Sequence, residues 1–205
     1  MAIRENREYR NAPMFEVRAA ETDGEENFEV VGYATTWDNE YTLYSYDGVE
    51  FKEKMLASAI DENTDLSDVI FVKDHEGTVF ARTRNNTLIL ETDEHGLKVR
   101  ADMSKTPSAR EAFEEIKAGM YDQMSFAFTV DDEEYDSKTH TRTIKHINKL
   151  YDTSFVSFPA NPGTDIGVAT RSKIDGFIEL EQAERLERER RLNIAKAKYT
   201  YQSIQ

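Results

Sequence analysis

The chain has 205 residues, enough for one compact domain and a tail, and 39% hydrophobic with 11% aromatic residues can furnish a core. Its 26 Lys and Arg stand against 40 Asp and Glu, a formal charge of −14, which argues against nucleic acid or an anionic membrane as a partner. It contains no cysteine, which excludes a disulfide framework, a thiolate zinc site and a cysteine nucleophile.

No h-region opens the sequence and no run of about 18 apolar residues interrupts it, so a soluble protein without a cleaved secretory signal is expected. In chain order, "PMFEVRAA" (13–20) and "NFEVVGYATTW" (27–37) keep β-branched and aromatic residues near period two around a turn-like "ETDGEE", which predicts an opening hairpin. In "VEFKEKMLASAIDEN" (49–63), Phe51, Met55 and Ala59, with Leu56 and Ile60 beside them, fall at helical spacing and predict a short helix. The stretch 68–103 alternates strand runs with the turn groups "HEG", "RNN" and "DEHG", as in an antiparallel meander.

"TPSAREAFEEIKAGM" (106–120) predicts a helix with Ser or Thr to cap it and Gly119 just past its last turn. "MSFAFTV" (124–130) and "RTIKHINKLYDTSFVSF" (142–158) predict two strands separated by the polar turn "DDEEYDSKTH", with "PANPG" ending the second. From about residue 171 the chain is dense in Glu, Arg and Lys, and a thin stripe of Ile174, Phe177, Ile178 and Leu186 predicts a helical tail outside the core. Many short strands with interspersed helices predict an α+β domain built on a barrel or strongly bent sheet.

Four histidines make a census practical. His95 in "DEHG" and His140 in "KTHT" read as solvated loop residues. His75 follows the apolar run "VIFV" at a strand-to-turn junction, where a rigid sheet can aim a side chain into a cleft. His146 alternates with Ile144 and Asn148 on a strand. Strand alternation puts Met124, Phe126 and Phe128 on one face and Ser125, Ala127 and Thr129 on the other, a small and mildly polar face that by itself favours close packing against another element. Asp152 shares a face with Leu150, Ser154, Val156 and Phe158, and a carboxylate there needs a partner: a histidine, a backbone amide or a lysine such as Lys149.

Hydroxyl, imidazole and carboxylate are the parts of a nucleophilic hydrolase. The order His, Ser, Asp matches none of the commonest hydrolase orders, and the absence of a G-x-S-x-G elbow disfavours an α/β-hydrolase.

As an ordered set, "VVGYATTWDNE", "SYDGVEFKEKMLASAI", "VIFVKDHEGTVFARTRNNTLILETDEHGLKVRADM", "EIKAGMYDQMSFAF" and "LYDTSFVSFPANPGTDI" resemble the prohead proteases of tailed bacteriophages over roughly 15–169. The carrying pattern is a histidine in D-H after an apolar strand, a "GL" strand, a serine following a glycine, then an acidic residue before "S-F-V-x-x-P-A-N-P". The resemblance implies that His75 and Ser125 are the catalytic base and nucleophile. It implies Asp152 as the third member, where many relatives carry glutamate. The family is also similar to herpesvirus assembly proteases, whose third member is a second histidine, so His146 stands as the rival.

The implied fold is a closed mixed β-barrel flanked by helices, with residues 1–170 as the protease domain and 171–205 as the charged tail. The implied function is a serine endopeptidase, without cofactor or metal, that cleaves scaffold or the scaffold-like segment of the major capsid protein, and itself, inside the prohead assembled in the host bacterial cytoplasm. Homo-oligomers are compatible with this. The "PANPG" turn is a candidate for the oxyanion site, and the tail for a packaging handle or autolytic segment. The alternatives are a weakly active assembly component with the same fold and, less favoured, another serine hydrolase such as an esterase.

Overall fold

The computed structural model describes residues 7–19, 28–157 and 168–202. The first hairpin forms as expected: β1 (Glu8–Ala19) and β2 (Glu29–Thr36) pair antiparallel, with Val17 opposite Gly32, and its turn lies outside the described residues. β3 (Tyr41–Tyr46) and β4 (Val49–Met55) make a second hairpin around Asp47 and Gly48, both at positive φ as a two-residue turn of the primed type demands.

The helix expected over 49–63 is therefore replaced by a strand and a run of turns. Phe51, Glu53 and Met55 are buried while Glu50, Lys52 and Lys54 are not, a period of two. Residues four apart share a face in a strand as well as in a helix, so the spacing of Phe51, Met55 and Ala59 did not discriminate.

β5 (Ile70–Lys73) pairs with β6 (Glu76–Arg82), and β7 (Leu88–Thr92) with β8 (Gly96–Asp102). A 3-10 turn at Thr83–Asn85 separates the pairs, and among the described residues β6 pairs only with β5, so the expected meander is two hairpins placed apart. Gly96 opens β8 opposite Thr36, where a Cβ would lie 2.0 Å from the Thr35 carbonyl oxygen. Only glycine fits that approach.

α1 (Pro107–Lys117) begins with Pro107 in its first turn and Thr106 Oγ1 accepting the Ala109 N–H at 3.1 Å. Its apolar stripe, Ala109, Ala112, Phe113 and Ile116, is buried, and Gly119 at φ +75° ends it.

β9 (Gln123–Asp136) and β10 (Thr141–Val156) form a long hairpin. The polar turn expected over 131–140 is mostly strand, because Asp136 still pairs with Thr141 and Glu133 with Ile144. α2 (Val168–Gln202) then leans on that hairpin. Phe177 stacks on Tyr135 at 4.0 Å, Lys173 pairs with Glu133, Glu181 accepts from Tyr135 and meets His140 Nδ1 at 2.7 Å, and Ser137 donates to Glu184 at 2.8 Å. Ile174 is 2% exposed. The start of the helical tail is thus docked against the domain, whereas residues 183–196 are exposed. His140 belongs to this contact rather than to a solvated loop.

The fold is mixed α+β, mostly strand, with two α-helices among the described residues. The hydrogen-bonded order is β3-β4-β10-β9-β1-β2-β8-β7, with β5 on β10 and β6 on β5. β10 is the spine: β9 runs antiparallel along one edge, while β4 and then β5 run parallel along the other. No pairing joins β3 to β7 among the described residues, so none closes the expected barrel. The apolar core includes Met55, Phe71, Leu97, Met103, Phe126, Phe128 and Phe155.

Beside this core lies a desolvated ion cluster. Glu53 accepts from Arg10 Nε at 2.5 Å and Nη2 at 2.8 Å, from Arg142 Nη1 at 2.8 Å and from the Tyr41 hydroxyl at 2.5 Å. Glu8 accepts from Arg142 at 2.6 and 2.8 Å and from Arg10 at 2.5 Å. Burial alone would raise the Glu8 carboxyl, but the Arg10 charge and the bonds from Arg142 and Arg10 outweigh it and hold it at about 2.

Candidate active site

His75 sits in the tightest part of the β5–β6 hairpin. Lys73 pairs with Glu76, leaving Asp74 (φ 48°) and His75 (φ 59°) as a two-residue turn with both residues left-handed. Non-glycine residues resist that region by roughly 1–2 kcal/mol each, so neighbours must hold the turn. The Asp74 N–H donates to the Phe155 carbonyl at 3.0 Å, and its carboxylate accepts the Ser157 N–H at 2.8 Å and the Ser157 hydroxyl at 2.9 Å. The turn is thereby tied to the end of β10.

β10 carries Asp152, and its neighbour on the other edge carries Ser125. Ser154 faces Ser125 across the β9–β10 ladder and Val72 across β10–β5; Asp152 faces Ala127 and Ile70. The hairpin tip therefore folds over the strand pair. His75 Nδ1 lies 2.5 Å from Asp152 Oδ1, and Nε2 lies 2.6 Å from Ser125 Oγ. These three side chains, drawn from positions 75, 125 and 152, form one continuous chain of hydrogen bonds.

Ser125 is 1% exposed and Asp152 4%, while the His75 side chain is 17% exposed. Tyr9 from β1 packs edge-on against the imidazole with ring centroids 4.6 Å apart. β1 pairs Asn11 with Ser125 and Tyr9 with Ala127, so Tyr9 lies on the Ser125 face of the sheet. With Nδ1–H donating to Asp152, Nε2 has a lone pair directed at the Ser125 hydroxyl. That arrangement can take a proton from the serine and stabilise the resulting imidazolium.

The other histidines lie elsewhere. His146 meets Asp131 at 2.5 Å and Asp61 at 3.2 Å, and the Asp131 bond raises its affinity for a proton despite some burial. No contact joins it to His75 or Ser125 among the described residues, so it does not stand behind His75. His95 is in the exposed β7–β8 turn, its ring against Tyr33 at 4.5 Å. Lys149 pairs with Asp65 rather than with Asp152.

Sequence reasoning missed two contacts, Tyr9 on the imidazole and Ser154 on the Asp152 carboxylate at 2.9 Å. The placement of Ser154 two residues after Asp152 on one strand face was the available signal. "PANPG" lies outside the described residues. Among the described residues no group of three or more His, Asp or Glu is arranged to hold a metal, and no helix is long and apolar enough to cross a membrane.

No curated protein and no solved structure matches the chain. A model of the caudovirus prohead serine protease family matches residues 14–176, a span that includes His75, Ser125 and Asp152, and the chain belongs to that family of capsid-maturation proteases.

Proposed function

We propose that the chain is a serine endopeptidase in which Ser125 is the nucleophile, His75 the general base and acid, and Asp152 the group that orients the imidazole. The observation that carries this reading is the chain Asp152–His75–Ser125, with its 2.5 and 2.6 Å links. Ser125 Oγ attacks the scissile carbonyl carbon as its proton passes to His75 Nε2, and His75 returns that proton to the departing amine. Water then repeats the sequence on the acyl-enzyme, with Asp152 balancing the imidazolium throughout.

Family membership supports a role on capsid proteins inside the phage capsid. Within it we assign as substrates the scaffold, or the scaffold-like segment of the major capsid protein, and this chain itself, in proheads assembled in the host cytoplasm. Residues 1–170 form the protease unit in this reading, on the barrel that the family resemblance implies. The exposed part of α2 serves as the packaging or autolytic segment.

Incubating the purified chain with capsid protein and identifying new termini by mass spectrometry tests the assignment. Ser125→Ala is expected to abolish every cut while leaving circular dichroism and melting unchanged; cleavage retained by that variant refutes it.

A further inference from the structure

We propose that Ser154 is a positioning residue of this site, its hydroxyl fixing the Asp152 carboxylate that orients His75. The inference rests on the peptidase reading above and adds a fourth side chain to it. Ser154 is fully buried on β10, directly across from Ser125. Its Oγ lies 2.9 Å from Asp152 Oδ1 and 3.1 Å from His75 Nδ1. Oδ1 is also the oxygen that meets Nδ1 at 2.5 Å, so both contacts converge on one atom.

The hydroxyl has a single proton, and the site dictates where it goes. If Nε2 is to accept from Ser125, Nδ1 must carry the ring proton and donate it to Oδ1. Ser154 then also donates to Oδ1, while its lone pairs face the Nδ1–H. The opposite tautomer sets a bare Nδ1 against a carboxylate oxygen at 2.5 Å, two acceptors in contact. A desolvated carboxylate is costly without donors, and Ser154 supplies one that does not move with the imidazole.

The remaining groups around the ring do not duplicate this role. Tyr9 from β1 lies T-shaped to the ring, Asp74 is occupied by Ser157, and Glu76 follows the turn on an exposed strand end. A purely structural Ser154 would be a small residue that lets β5 and β9 flank β10. That role needs the volume and not the hydroxyl.

A fluorophosphonate probe reads the difference on the full chain without a known substrate. The Ser125 Oγ–P bond forms, fluoride leaves, and the hydroxyl proton passes to His75. Ser154→Ala is expected to label about tenfold more slowly at neutral pH. Ser154→Cys, which keeps the volume with a weak donor, is expected to behave like Ser154→Ala, and Ser154→Thr to recover the rate.

The Nδ1–H proton resonance of His75 supplies a readout free of turnover: it is expected to shift in Ser154→Ala and to persist in Ser125→Ala. An unchanged resonance in Ser154→Ala, or equal losses in the Ala and Thr variants, overturns the positioning role and leaves the nucleophile assignment intact. Labelling that survives in Ser125→Ala overturns the nucleophile assignment itself, and the positioning role with it.

Discussion

Replacing Glu53 with Gln tests whether the ion cluster is as desolvated as its burial implies. The carboxylate is fully buried and accepts four hydrogen bonds, three from guanidinium groups and one from Tyr41. Arg10 and Arg142 carry two positive charges against the buried Glu8 and Glu53, and Glu133 at the rim is shared between Arg142 and Lys173, so Glu53→Gln leaves the buried charges out of balance and points an amide N–H₂ at a guanidinium. Breaking a buried pair from one side costs about 3–5 kcal/mol. At roughly 2–4 °C per kcal/mol for a chain of this size, the melting temperature should fall by about 6–20 °C.

Differential scanning calorimetry at neutral pH measures it, with fluorophosphonate labelling at low temperature as a control. Arg10 is opposite Phe126, so the cluster lies across the sheet from the Ser125 face, and folded variant should label at close to the wild-type rate. Replacing Glu8, Arg10, Glu53 and Arg142 together by Leu or Met should restore the melting temperature above that of Glu53→Gln, because no orphan charge remains. A Glu53→Gln melting temperature within about 2 °C of wild type would refute a desolvated cluster.

Asp152→Asn should preserve the fold and slow fluorophosphonate labelling by roughly 10^3–10^4, since an amide N–H facing Nδ1 favours the tautomer that cannot accept from Ser125. His146→Ala should leave labelling within about twofold of wild type, because its partners are Asp131 and Asp61; a hundredfold loss would restore it as the third member. Acid should destabilise the fold below the ordinary carboxylate range. Glu8 is held at about 2 in the folded chain against 4.5, so its contribution is whole above pH 4.5 and fades as pH falls toward 2. Urea midpoints measured across that window should slope less steeply in Glu8→Gln than in wild type.

The elements that could be read from sequence were those whose pattern excludes the alternatives. α1 announced itself through Thr106, Pro107, a buried stripe at helical spacing and Gly119. The 49–63 stretch did not, because its apolar spacing of four satisfies a strand and a helix equally. The outer part of the β9–β10 hairpin was obscure for another reason: residues 131–140 are polar apart from Tyr135, and the helix on which that ring stacks is distant in sequence, so the stretch looks like a turn. The ion cluster was invisible because charges ordinarily mark the surface, and the partners of Glu53 and Glu8 lie up to 134 residues away.

The site shows the same division at finer scale. His75, Ser125 and Asp152 were legible as a set through ordered motifs, with Asp152 preferred and His146 kept as a rival on the same strand. The β10 ladder separates them: its pairing with β9 shifts register between Ile144 and Asp152, whereas Asp152 to Phe155 pair in step with β5. Only the latter segment lies beneath the hairpin that carries His75. The D-H pair gains a physical meaning from this arrangement. His75 reaches β10 by accepting a left-handed backbone, and Asp74 holds that backbone through Ser157 at the end of the strand that bears Asp152. Imidazole and carboxylate are thus registered by one strand end, so a change at Asp74 should act on His75 through geometry rather than charge.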